Sequence, residues 1–78
     1  MMDKNKLHFL HKHTDYGAYR EILKDGNMIV GWVEQYPHST LPESDKWFYA
    51  FGKPSQTSFM AFQCDTLEEA KTKLVEYC

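Results

Sequence analysis

Cysteine is scarce, with Cys64 and Cys78 the only two in 78 residues. Two are too few for a disulfide framework and fit reduced thiols. Glycine is scarce as well: Gly17, Gly26, Gly31 and Gly52 are scattered along the chain, so no glycine-rich loop is present to cradle a phosphate. No apolar run approaches the roughly 20 residues needed to cross a bilayer, and the start MMDKNK leads into no signal-peptide core. The expectation is a soluble, cytoplasmic protein with no membrane partner. An excess of one charge is missing too. Nine Lys and Arg against eleven Asp and Glu leave a formal net charge of −2, which provides no overall field for a polyphosphate. No internal repeat or low-complexity tract occurs.

What is present describes one small domain. Hydrophobic residues make up 42% and charged residues 26% of the chain, ordinary globular usage that argues against a disordered tail. Five Phe, five Tyr and two Trp supply large buried area per residue, which is how so short a chain offsets its conformational entropy. The charge is unevenly placed. Residues 1–24 carry Lys4, Lys6, Lys12, Arg20 and Lys24 against three acids, a balance of +2, and residues 25–78 carry −4.

Two strand-like runs, YREILK and MIVGWVEQY, flank Asp25-Gly26, a strong hairpin signal. A turn on Asp25 and Gly26 pairs Lys24 with Asn27, sets Ile22 opposite Ile29 and Tyr19 opposite Trp32, and places Tyr19, Leu23 and Trp32 on one face. PHSTLPESD, residues 37–45, belongs in a loop because its prolines cannot join a ladder. KWFYAF (46–51) and SFMAFQC (58–64), joined by GKPSQT, form a second hairpin. After Cys64 the period changes: Leu67, Ala70 and Leu74 recur at helical spacing, giving an amphipathic helix over 65–77 with Asp65 as N-cap and Glu68 completing a capping box. Residues 1–15 are an edge strand or an arm, and a strand is favoured. The expected fold is α+β: an antiparallel sheet of three to four strands packed against one C-terminal helix, in a single domain spanning 1–78.

Gly31, the aromatic run Trp47 to Phe51, Phe62 and the helix start Thr66-Leu67-Glu68-Glu69-Ala70-Lys71 together resemble small sheet-plus-C-terminal-helix modules of phage and mobile-element proteins, including the arm-type DNA-binding domains of tyrosine integrases. The resemblance spans roughly residues 19–77. It implies a three-stranded antiparallel sheet backed by one helix. It also implies an accessory role in a host cytoplasm, such as inhibition of a host complex by occlusion in the manner of anti-CRISPR proteins. Arm-type domains read DNA with a basic sheet face, whereas these strands carry uncharged aromatics and the second half of the chain is acidic.

Four groups of residues bear on function. His8, His11 and His13 are the candidate metal ligands; on a strand His11 and His13 share a face while His8 has the opposite parity, so all three reach one ion only if the segment bends. A solvated, histidine-rich edge without a cofactor is the expected reading. Cys64 shares a strand face with Met60 and Phe62 and is expected as a small core residue rather than a nucleophile. The acids at the helix start follow from capping and dipole physics, and a chain this short leaves little room for a substrate pocket. No enzymatic activity is expected. The aromatics remain: Tyr19, Trp32, Trp47, Tyr49 and Phe51 exceed what one short helix covers, so they are the candidate partner-binding surface. The expected partner is another protein, a host complex, with a second copy of the chain as an alternative occupant. A nucleic acid reached through the basic N-terminal stretch is the runner-up.

Overall fold

The structure is a computed structural model that describes residues 6–15, 17–35 and 47–78; the expected loop at 37–45 lies outside them. Five strands form one antiparallel sheet in sequence order: β1 (Leu7–His11), β2 (Arg20–Asp25), β3 (Met28–Gln35), β4 (Trp47–Phe51) and β5 (Ala61–Cys64). One helix among the described residues, α1 (Leu67–Glu76), follows. This is the expected α+β architecture with the N-terminal segment supplying the fifth strand, at the edge beside β2.

The β2–β3 hairpin has a different register from the one the Asp-Gly pair suggests. Asp25 pairs with Met28, so Gly26 and Asn27 form the turn, and Gly26 takes a φ of 61°. A two-residue hairpin loop needs a left-handed residue at its first central position, which glycine adopts without a Cβ penalty. Moving the turn by one residue changes the pairing along the whole hairpin. Ile22 then faces Trp32, Glu21 faces Val33 and Arg20 faces Glu34, with a bulge opposite Leu23 and Lys24 that leaves Val30 as the extra residue of β3. Trp32 therefore shares a face with Ile22, and Tyr19 does not stand opposite it.

Two apolar layers result, one on each side of the sheet. Leu23, Val33, Tyr49 and Cys64 form the layer beneath the helix and pack with Ala70 and Leu74. Ile22, Trp32, Phe48 and Ala50 form the other. The segment between β4 and β5 covers that second layer. Gln56 fixes its turn by accepting the Lys53 amide at 2.8 Å, and Phe59 meets Trp32 edge-on with ring centroids 4.8 Å apart.

The helix is held to the sheet at Gly31. A Cβ at that position meets the Ala50 carbonyl oxygen and Leu74 Cδ1, both at 2.7 Å. Only a residue without a side chain lets Leu74 sink onto β3, where it is fully buried. The N-cap is Thr66 rather than Asp65: its Oγ1 accepts the Glu69 amide at 3.1 Å. The capping pattern is thus Thr66 with Glu69, one residue later than Asp65 with Glu68, because the β5 ladder still holds Cys64 opposite Trp47 and the chain needs a residue to turn.

Denaturant melts test this arrangement. Leu74→Ala is expected to cost about 2–5 kcal/mol and Gly31→Ala about 1–3 kcal/mol, while the exposed Thr72→Ala stays within about 0.5 kcal/mol. Gly31→Ala should cost less in a Leu74→Ala background than in the wild type, since one of its two 2.7 Å contacts is then removed. At the helix start, Thr66→Ala should lose about 1 kcal/mol and Asp65→Ala almost nothing; the reverse order would return the cap to Asp65.

Candidate binding surface

The five aromatics expected to form one surface are divided among different environments. Trp32 is 1% exposed and Tyr49 8%. Trp47 and Phe51 are half-buried against the layer beneath α1. Tyr49 stacks on Phe62 at 5.2 Å and meets Phe51 edge-on at 6.0 Å. The helix covers more of β4 than its narrow stripe suggested, because Leu74 sits deep over Gly31 and lowers the whole helix onto the strands. Trp32 lies on the opposite side of the sheet, a consequence of the shifted register, and is capped there by Phe59.

Tyr19 and Trp47 are brought together, with ring centroids 5.4 Å apart and planes nearly perpendicular. Tyr19 also stacks on His11 at 4.3 Å, and His13 meets the His11 ring at 4.7 Å. The Tyr19 hydroxyl donates to Glu21 Oε2 at 2.8 Å. Burial of the phenol, reinforced by that carboxylate, raises its pKa and keeps the donor protonated. Lys71 reaches from the helix to Glu21 Oε1 at 3.2 Å, its ammonium 4.6 Å from the centre of the Phe9 ring. These contacts bind α1 to β1 and β2, the strands beyond the helix itself. Tyr19, His11, His13 and Trp47 form one ring cluster beside them. His8 projects from the opposite side of β1, as its parity requires, and its Nδ1 lies 3.2 Å from the Lys6 carbonyl. Among the described residues no three His, Cys, Asp or Glu side chains converge to hold a metal ion.

Exposed apolar surface does occur, and it includes Met60 and Phe62, which strand alternation predicts to share the Cys64 face. Met60 is 74% exposed, Phe59 44%, Phe62 38% and Tyr77 60%. Phe59, Met60 and Phe62 lie in or just before β5, whose outer edge lies at one end of the sheet, and Tyr77 comes near Tyr49, the ring that Phe62 stacks on; Leu10 on β1 and Met28 at the β2–β3 turn are exposed elsewhere. From Ser58 to Cys64 the chain carries no charged residue and no proline. That absence was visible in the sequence, but it signals an exposed edge only once β5 is known to be the last strand. The β1 edge is different in kind, with Lys6 and Lys12 exposed at its two ends and His8, Leu10 and His11 exposed between them.

On the sheet face away from the helix, Lys12, Arg20 and Lys53 rim a shallow hollow of about 310 Å³ based on Ile22 and Ile29. Arg20 Nε donates to Glu34 Oε1 at 2.8 Å, a pairing that accompanies burial of the Glu34 carboxylate. A second hollow of about 480 Å³ lies between β1 and the helix, lined by Phe9, Lys71, Thr72, Val75 and Glu76. No helix among the described residues is long and apolar enough to cross a membrane. No protein-family model, curated protein or solved structure matches the chain.

Cys64 is buried and Cys78 half-buried, and neither is in a disulfide. Burial, followed by the nearby Glu69 carboxylate, pushes the Cys64 thiol above its ordinary pKa, which lowers its thiolate fraction at neutral pH. Titration with a thiol reagent at pH 7 should therefore show one prompt equivalent, lost in Cys78→Ser, and a second that reacts only as the protein unfolds. Prompt reaction of Cys64 in the folded Cys78→Ser protein would refute its burial.

Proposed function

We propose that the protein is a non-enzymatic protein-binding module, an accessory protein that modulates or inhibits a host complex by occlusion, and that it docks protein at the β5 side of its sheet. The observation that carries this reading is the uncharged, exposed β5 edge flanked by Phe59, Met60, Phe62 and Tyr77. Exposed aromatic and thioether side chains beside an open edge are what protein interfaces use for anchoring. The titratable groups support a binding role over a catalytic one. The two buried acids, Glu21 and Glu34, pair with Lys71 and Arg20, an arrangement that fixes strands and helix together.

A second reading, nucleic-acid binding, rests on the hollow rimmed by Lys12, Arg20 and Lys53, which joins two cations of the basic N-terminal stretch to a third from the β4–β5 segment. Salt separates the two. Phosphate contacts release counterions, so affinity falls with salt at a log-log slope of about −0.9 per phosphate neutralised, whereas apolar docking changes little.

The test uses tagged wild-type protein and a Met60→Asp, Tyr77→Asp variant as bait in host lysate, with gel shifts on duplex and single-stranded oligonucleotides at two salt concentrations. Both substituted positions are exposed, so the variant should keep the wild-type far-ultraviolet circular dichroism spectrum. A protein captured by the wild type, retained at raised salt and lost from the variant is the expected result. Capture that survives both substitutions, or tight oligonucleotide binding abolished by salt and by Lys53→Glu, would overturn the docking reading.

A further inference from the structure

We infer that the occupant of the β5 edge is a second copy of this chain, paired antiparallel with β5 about a twofold axis normal to the sheet, so that two five-stranded sheets become one of ten strands. The inference rests on the reading of β5 as a docking edge and assigns what docks there.

The first argument is the open ladder. Among the described residues β5 pairs with β4 alone, so its outward amides and carbonyls are a template for another strand. Edge strands are ordinarily protected by charge, proline or a covering element. β5 has no charged residue or proline from Ser58 to Cys64, and Ala61, Phe62 and Gln63 are all exposed.

The second argument is which strand fits. A twofold axis sets a strand against itself, so any charge it carries meets a like charge nearby, and like charges opposed across a ladder destabilise it. A neutral segment has no such conflict and is self-complementary. The β1 edge, with the exposed Lys6 and Lys12 at its two ends, fails that criterion, because a twofold axis brings Lys6 of one copy toward Lys12 of the other. Pairing β1 of one copy with β5 of the next is heterologous and generates an open array rather than a closed pair, leaving β5 with β5 as the neutral pairing that closes at two.

The third argument is that both sides of the edge are apolar. Phe62 lies on the helix side, stacked on Tyr49 at 5.2 Å, and Phe59 lies on the other, against Trp32 at 4.8 Å. An axis normal to the sheet preserves sides. Phe62 of each copy therefore approaches the other beside the helices, and Phe59 of each approaches the other on the far side, burying apolar surface above and below the new ladder. The dimer presents a wider occluding body with its basic β1 edges at the two ends.

Sedimentation equilibrium from low micromolar to near-millimolar concentration tests the assignment. The expected mass rises from 9.2 kDa toward twice that value, and the melting temperature rises with concentration. Met60→Lys and Gln63→Lys each place a charge on the edge without entering the core, and either should hold the protein at monomer mass with an unchanged far-ultraviolet circular dichroism spectrum. His8→Glu, on the opposite edge, should leave dimerisation unchanged. Hydrogen exchange should show the outward β5 amides gaining protection as concentration rises. A wild type that stays monomeric throughout overturns the assignment of a second copy but not the docking reading, which the capture assay scores on a different protein. A dimer that survives both lysine substitutions, or that His8→Glu dissolves, overturns the assignment to β5.

Discussion

The close approach of Leu74 to the backbone of Gly31 is the contact on which the rest of the molecule depends. A ten-residue helix has one narrow apolar stripe, and isolated helices of that length are marginal in water. This one is stable because it lies low on the sheet, with Ala70 and Leu74 fully buried. The depth is set by the missing side chain on β3 and by the Ala50 carbonyl beneath it. It also determines which strand residues are covered: Tyr49 vanishes under the helix, and Trp47 and Phe51 retain only part of their surface. Lys71 extends the helix's reach sideways by pairing with Glu21, so a short helix holds strands it does not overlie.

The opposite face is covered by different means. Among the described residues no helix lies there; the segment between β4 and β5 folds back and lays Phe59 on Trp32 and Phe48, with centroids at 4.8 and 6.5 Å. A loop-borne ring covers a sheet less completely than a helix, and the consequence is that Phe59 and Met60 remain in contact with water. The exposure of Phe59 and Met60 is thus a by-product of how the second layer is closed, and it falls beside β5, where the run from Ser58 to Cys64 carries no charge. Coincidence of open backbone, neutral sequence and apolar flanks makes the β5 side the surface on which a binding function is most economically built.

Local patterns read well where the physics is local. The period change after Cys64 marks the helix, the Asp-Gly-Asn stretch marks a hairpin, and the parity of His8 against His11 holds on β1. One-residue errors arose where two candidates satisfy the same local rule. Asp65 with Glu68 and Thr66 with Glu69 are both capping boxes, and Asp25-Gly26 and Gly26-Asn27 are both turn pairs. The choice in each case belongs to the neighbouring strands, through Cys64 held opposite Trp47 and Arg20 held opposite Glu34. A one-residue change in the turn shifts the pairing by two and keeps the faces; the bulge at Val30 supplies the odd residue that carries Trp32 to the other side of the sheet, away from Tyr19, Trp47, Tyr49 and Phe51.

By itself the sequence determined the class of the fold, the number and order of its later elements, the apolar stripe of the helix and the absence of charge from Ser58 to Cys64, because each of these depends on residues close together in the chain. Which aromatics are buried and which are exposed was decided only in the tertiary structure. Exposure depends on which element lies over a side chain, and that is fixed by the hairpin register, by the depth of Leu74 over Gly31 and by the fold-back of Phe59, none of which a hydrophobic pattern encodes. The neutrality of β5 is written in the chain, but that β5 is an edge is a property of the sheet.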